Sequence, residues 1–285
     1  MLPALAPDQA GQLAGQLALL ACQCLLDEAH LAPKPGLVDS RGSGAHSDLN
    51  LELMCRSARA LQPAFFAMAH AAWQQAPSTT LREQLGSLGR AGEQAMLQAS
   101  GGVNTHRGAI WAIGLLVAAA AMDSSQRQSD AVCQRAAALA QLPDRLLPAQ
   151  PRKGDQACRR YGVGGARGEA QQGFPHITQL ALPTLHASRA HGDGETHARL
   201  NALLAIMSRL DDTCLLSRGG MAGLTLVQSG ALAVLDAGGV ATLPGRRRLY
   251  QLEKAMLAER LSPGGAADLL AATLLLDRLP QIAAD

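Results

Sequence analysis

Three features of the 285-residue chain predict an all-α fold, a single helical domain of about ten helices whose glycine-rich charged loops form the active site. Apolar residues make up 48% of the sequence but aromatic ones only 2%. The core must therefore be built from Ala and Leu, which favour helices, because the residues that favour strands are scarce. Apolar residues recur at helical spacing over long segments, and no sustained two-residue alternation interrupts them. Between these segments lie polar stretches that combine Gly with Lys, Arg, Asp and His. No internal repeat and no linker divides the chain, so residues 1–285 read as one domain.

In chain order, residues 1–9 read as a loose leader. Residues 10–30 form a helix that Pro33 ends. Residues 49–74 form a long helix with a kink or break at Pro63. Residues 79–99 form another, with Thr79 or Thr80 as cap and Glu83 in the capping-box position after Thr80. Asn104 or Thr105 caps a helix over 107–122, which is almost wholly apolar and hence central. Residues 126–142 are amphipathic. Residues 143–160, rich in Pro, Arg, Lys and Asp, read as a mobile surface loop. Helices follow over 176–190 and 196–210, with a flexible connection at 191–195. Three more cover 221–236, 246–260 and 263–279, the last with Ser262 as cap and Pro263 in its first turn.

Composition excludes several function classes. A net charge of +2 provides no general field for nucleic acid, and so few aromatics provide no stacking platform for single strands. The longest apolar run, 109–122, is too short to span a bilayer, and the N-terminus has no signal-peptide pattern. The six cysteines form no CxxC pair or zinc spacing, and most lie in apolar helical patterns as small hydrophobic free thiols. A cytoplasmic protein is expected.

Chemistry concentrates in the loops. Residues 32–48, APKPGLVDSRGSGAHSD, place Lys34, Asp39, Arg41, His46 and Asp48 between two helices. A plain connector needs turn residues, not two cations, carboxylates and an imidazole. Residues 100–106 read SGGVNTH, residues 161–175 YGVGGARGEAQQGFP, and residues 211–220 DDTCLLSRGG. Gly beside a cation recurs: Lys34 with Gly36, Arg41 with Gly42, Arg107 with Gly108, Arg167 with Gly168, and Arg218 with Gly219 and Gly220. Glycine opens backbone N–H groups to an anion, and the guanidinium fork matches phosphate oxygens. Helix starts at Arg107 and near Gly219 add their dipoles. One such pair is a helix cap beside a surface arginine; five point to a polyanion, most simply a nucleotide. The stretch Gly162-Val163-Gly164-Gly165 follows no strand, so it is not a dinucleotide fingerprint.

Asp211 and Asp212 are the best candidates to hold Mg²⁺, with Glu28 and Asp48 as further ones; the bland alternative is a helix cap. Glu169 reads as a general base or metal ligand, or as an ordinary first-turn carboxylate. His46 and His106 sit in polar loops, where imidazole shuttles protons or contacts phosphate.

Five motifs, PKPGLVD…SGAH (33–46), GGVNTHRG (101–108), YGVGGARGEA…GFP (161–175), DDTCLLSRGG (211–220) and LSPGGAADLLA (261–271), together resemble the triphosphoribosyl-dephospho-CoA synthases. The similarity runs over nearly the whole chain. It implies an all-α enzyme that moves the triphosphoribosyl group of ATP to 3′-dephospho-CoA and releases adenine. Its product would be the precursor of the prosthetic group of an acyl-carrier subunit, attached by a separate transferase. The LAPKPGLVD and RGSGAH wording is more similar to the malonate decarboxylase branch than to the citrate lyase branch. Two positions depart from the pattern: Ser40 stands where a basic residue is expected, and Cys214 where the citrate branch carries Asn.

On this resemblance Glu169 or Asp39 is the candidate base, and His46 or His106 a phosphate contact or acid. Lys34, Arg41, Asn104, Thr105, Arg107, Arg167, Arg218, Gly219 and Gly220 would bind substrate or phosphate. Two rivals share the pattern. An N-glycosidic hydrolase of the ADP-ribosylglycohydrolase kind would need no acceptor, and a non-catalytic nucleotide- or CoA-binding helical protein would release no adenine. The large Ala/Leu faces suit a homodimer.

Overall fold

A computed structural model describes residues 8–147 and 153–282. All regular structure among them is helical, and one apolar core runs through it. The first helix, α1 (Gln9–His30), begins where the Asp8 carboxylate accepts the Gly11 N–H at 3.1 Å. Of the expected leader, residues 1–7 lie outside the described residues; Asp8 and Gln9 already belong to the helix start.

The expected helix over 49–74 breaks into α2 (Leu51–Ala60) and α3 (Gln62–Ala72), with Pro63 in the first turn of α3. There its missing N–H costs nothing. Next, α4 (Thr79–Ala99) is capped by Ser78, which accepts the Leu81 N–H at 3.2 Å, so neither Thr79 nor Thr80 is the cap. Ser78 alone there has the extended backbone a cap needs. Glu83 instead pairs with Arg145.

Two helices set the frame: α5 (Arg107–Met122) and α13 (Gly264–Arg278). Both are apolar nearly all round and pack against each other, with α1, α3 and α6 (Ser129–Gln141) around them. Small Ala side chains let these axes approach closely. A third buried helix, α10 (Glu195–Met207), packs on α13.

Three loop expectations are corrected. Within 143–160, residues 148–152 lie outside the described residues. Before them, Asp144 is held by buried ion pairs to Arg82 and Arg90, at 3.5 and 2.9 Å. After them, residues Lys153–Tyr161 form α7. The stretch 161–175 contains a short helix, α8 (Gly165–Gln171). The stretch 211–220 is a loop only to Asp212; from Thr213 it is helix, α11 (Thr213–Asp236), bent at Gly220 with φ 60° and ψ −157°. Glycine tolerates that φ, so Gly220 is a bend inside a helix rather than a loop end. A six-residue π turn, His176–Ala181, leads into α9 (Leu182–His191), and α12 (Leu243–Ala258) packs on α11.

Candidate active site

The N-terminal ends of α5, α11 and α13 meet at one end of the bundle, and a cleft of about 1420 Å³ opens there. A drug-sized site is about 300–1,000 Å³, so this cleft has room for two large ligands. Carboxylates tie the three helix ends together. Asp212 caps α11 through the Cys214 N–H at 2.8 Å and also accepts the Ala266 N–H of α13 at 3.0 Å. Asp268, in the first turns of α13, accepts the Ala109 N–H of α5. It lies so close to Gly108 that a Cβ there would come within 2.1 Å of its Oδ2.

Burial pushes both carboxyls upward. For Asp212 it outweighs four backbone N–H groups. For Asp268 burial and the charges of Glu28 and Asp212 outweigh the Ala109 N–H, and its carboxyl stands well above the usual range. Beside them Lys34 is almost wholly buried. Its Nζ donates to the Glu28 carboxylate and, at 2.6 Å, to the Glu28 carbonyl oxygen at the end of α1. This pair is placed by the opening loop. Gly36, at φ 70°, lies so near Leu261 that a Cβ would meet its carbonyl oxygen at 2.4 Å, which locks the loop against the start of α13.

His106 is buried behind this pair. Ser57 Oγ donates to the Met54 carbonyl at 3.0 Å, so it accepts the His106 Nδ1–H at 2.9 Å, leaving Nε2 as a lone-pair acceptor. That nitrogen is buried and has no hydrogen-bond partner. Burial, then the Lys34 charge, hold the ring pKa down to about 3. His46 places Nε2 2.7 Å from Ser262 Oγ and Nδ1 3.2 Å from Arg218 Nη2. The guanidinium donates, so Nδ1 accepts and Nε2–H donates to Ser262. Burial and Arg218 lower this ring's pKa too, although Asp48 opposes them at 3.6 Å. Both imidazoles are thus neutral near pH 7.

Cations line the same cleft. Arg107, Arg160, Arg167, Arg218 and Lys153 line the cleft from α5, α7, α8 and α11. Arg160 lies over the Tyr161 ring at 5.2 Å, and Arg107 is braced by Glu93 at 2.6 Å. Trp111 ties the walls together: its indole donates to the Ala166 carbonyl at 3.0 Å, and Arg82 stacks 5.0 Å from its ring. Glu169, buried on this wall, accepts the His176 N–H at 2.9 Å and binds His176 Nδ1 at 2.7 Å. Burial disfavours charge on His176, but Glu169 more than offsets it and the ring's pKa is raised.

Of the residues expected from sequence, Glu28, Lys34, His46, Asp48, Asn104, Thr105, His106, Arg107, Arg167, Glu169, Asp211, Asp212 and Arg218 line the cleft. His106, not Asn104 or Thr105, stands at the cap position of α5, although Asn104 Oδ1 accepts the Arg107 N–H at 3.2 Å. Four residues are not brought to the cleft. Arg41 forks between Asp39 and Glu253, at 2.7 and 2.6 Å, which pins the loop to α12. Asp39 is consumed by that fork and by the N–H groups of Lys34 and Arg41, which hold its carboxyl low despite burial. Gly219 packs inside α11 against Leu261, and Gly220 is the bend. Nor is Ser262 the cap of α13; its hydroxyl partners His46, Pro263 stands at the cap position, and Asp212 from outside the helix accepts the Ala266 N–H.

Sequence reasoning missed Asp268, Ser262, Arg82, Arg160, Lys153 and Trp111 as cleft residues. One signal was available: Asp268 is a lone acid at the head of the apolar run 264–276. The others sit in segments read as plain helix or surface loop.

No solved structure matches. Relatives named 2-(5''-triphosphoribosyl)-3'-dephosphocoenzyme-A synthase include one from Klebsiella pneumoniae, 59% identical over 96% of this chain and 98% of the relative. "Probable" enzymes of that name from Pseudomonas fluorescens and Stutzerimonas stutzeri are 61% and 60% identical. They cover 94% and 97% of this chain and 92% and 96% of their own lengths. The CitG model, described as ATP:dephospho-CoA triphosphoribosyl transferase, matches residues 14–285. An all-helical bundle with a cleft at three helix N-termini, acids on its floor and cations on its rim is thus the form taken by a chain that belongs to the CitG family of transferases.

Proposed function

We propose that the chain transfers the triphosphoribosyl group of ATP to 3′-dephospho-CoA, releasing adenine. The observation that carries this reading is the division of one large cleft into a buried acidic floor and a cationic rim. Glycosyl transfer at C1′ passes through an oxocarbenium-like state, which anionic surroundings stabilise. The triphosphate stays on the ribose and needs a clamp, for which Arg107, Arg160, Arg167, Arg218 and Lys153 are placed. Glu169, oriented by His176, is the base for the acceptor hydroxyl. Glu169→Gln would then lower turnover with the fold intact, and undiminished turnover would refute that assignment.

Mg²⁺ is the expected metal. Among the described residues no group of three or more His, Cys, Asp or Glu is arranged to hold a metal. Mg²⁺ is usually held by one or two carboxylates plus substrate phosphates. Asp212 spends both oxygens on backbone N–H groups and Glu28 is tied to Lys34, so of the four candidates Asp211 and Asp48 are left to hold it. The ion would supply charge neutralisation for the triphosphate.

The product would be the prosthetic-group precursor of an acyl-carrier subunit, passed to a separate transferase. The PKPGLVD and SGAH wording supports malonate decarboxylase as its destination. A cytoplasmic location agrees with the lack, among the described residues, of a helix long and apolar enough to cross a membrane. The exposed Met221, Leu232, Leu243, Tyr250 and Leu257 on α11 and α12 support a homodimer, checked by sedimentation.

One assay separates the readings. Protein, ATP and Mg²⁺ are mixed with or without 3′-dephospho-CoA, and free adenine is measured. Acceptor-dependent adenine is expected; acceptor-independent adenine marks a hydrolase, and none from folded protein marks a binder.

A further inference from the structure

We propose that Asp144 and Arg82 are positioning residues for the rim: acting through the Trp111 indole, they hold the first turn of α8 against α5 and so place Arg167 for the triphosphate. This rests on the transferase reading above.

A helix as short as α8 (Gly165–Gln171) does not hold its shape unaided, and no side chain caps its start. Its last turn is tied to α6 by two amides. Gln171 Nε2 donates to the Ala140 carbonyl at 3.1 Å, and Gln141 Nε2 donates to the Gln171 carbonyl at 2.9 Å. Glu169, in its middle, is tied to His176. Its first turn is met from α5 by Trp111, whose indole N–H reaches the Ala166 carbonyl at 3.0 Å. Arg167 is the next residue of the chain. The place of this rim guanidinium therefore depends on where the indole stands.

The indole is steadied in turn from α4, because Arg82 lies over its ring at 5.0 Å. That arginine is buried, and its Nε has no hydrogen-bond partner among the described residues. The ring face and the ion pair to Asp144 orient the guanidinium. A buried cation needs such a partner, the more so here because Arg90 and Arg167 repel it. Asp144 is itself firmly placed. Its Oδ2 stands 3.5 Å from Arg82 and 2.9 Å from Arg90, and its Oδ1 accepts the Leu146 N–H at 3.1 Å. Gly86 forms the notch it occupies, since a Cβ there would come within 2.1 Å of Oδ2. One carboxylate anchored on α4 thus reaches the rim through a guanidinium, an indole and a carbonyl. Arg82 and Trp111 also line the cleft, so direct contact with a ligand is the alternative to be separated.

Two mild variants cut this chain at different links. Trp111→Phe keeps a ring beside Arg82 and removes the indole N–H. Asp144→Asn keeps an acceptor for Leu146 and removes the charge. Each should raise KM for ATP about fivefold with kcat nearly constant. The double variant should be no worse than about fivefold, because both changes break one chain. In an Arg167→Gln background, Trp111→Phe should change KM by less than about twofold; a direct ligand contact would instead multiply the two effects. Hydrogen exchange without substrate is independent of activity. Amides of α8 should exchange about tenfold faster in both variants, and those of α9 should not. Gly86→Ala, which fills the notch, should act like Asp144→Asn and replaces it if that variant does not fold. The proposal is overturned if Trp111→Phe keeps KM within about 1.5-fold, if its effect multiplies with that of Arg167→Gln, or if α8 exchange is unchanged. A wild type that releases no adenine overturns the transferase reading alone, and the exchange measurement still decides whether the chain fixes α8.

Discussion

The two walls of the cleft are built on opposite principles. The floor is assembled from α1, α5, α11 and α13, and Glu28, Lys34 and Asp212 there are buried and hydrogen-bonded within the chain. The rim is carried largely by α7 and α8, short helices at the edge of the bundle, and its Lys153, Arg160 and Arg167 are exposed. A buried charge is expensive to misplace and so holds fixed geometry; an exposed charge attracts a polyanion at little structural cost. The contrast teaches a division of labour: the floor acts on the bond that breaks, and the rim holds the triphosphate.

The strongest way to break this contrast is to unpair the floor. Lys34→Met leaves Glu28 buried without its cation and should cost about 3–5 kcal/mol in denaturant unfolding. A Lys34→Met, Glu28→Leu double variant should recover most of that loss. If the single variant costs under about 1 kcal/mol, the floor is not the preorganised wall described. Gly108→Ala is a subtler probe: its Cβ displaces Asp268, and a misplacement near 1 Å should lower kcat about 10²-fold.

Acid and base titration sharpen the same contrast, because two floor groups slope in opposite directions. His106, held down to about 3 from 6.5, favours the fold when neutral. Its contribution is present above pH 6.5 and lost as pH falls through that interval. Asp268, raised above 3.8, favours the fold when protonated; that contribution is full below 3.8 and lost as pH rises through its folded value. Unfolding of wild type and of Asp268→Asn across pH should therefore diverge upward from pH 3.8, with the variant the more stable. Parallel curves would contradict the placement of Asp268.

Rim substitutions should leave stability within about 0.5 kcal/mol. Arg167→Gln should raise KM for ATP about tenfold, less so in high salt. Smallest of all, Arg41→Met should cost about 1 kcal/mol through its lost fork to Asp39 and Glu253, with KM for ATP unchanged.

Most helices and part of the rim were legible in the sequence because each leaves a local trace, whereas α7 with Lys153 and Arg160 was not. Period and caps mark the helices, and Gly beside Arg marks Arg107, Arg167 and Arg218. The trace misleads where tertiary context takes over. The Arg218-Gly219-Gly220 stretch is helix, because Leu261 packs on it and Gly220 absorbs the bend. Asp39 and Arg41 satisfy one another rather than a ligand, which no spacing rule reveals. On the floor, Asp268 was hidden, since it and Glu28 meet only when α1 and α13 pack. Ser262, readable as a cap, becomes a partner of His46 through a contact across 216 residues.

The division of labour is tested most directly by steady-state adenine release measured side by side for Asp268→Asn and Arg167→Gln, with ATP varied at saturating 3′-dephospho-CoA. The account predicts a fall in kcat at constant KM for the floor variant, and a rise in KM at near-constant kcat for the rim variant. The reverse pattern, or the same pattern in both, would contradict it.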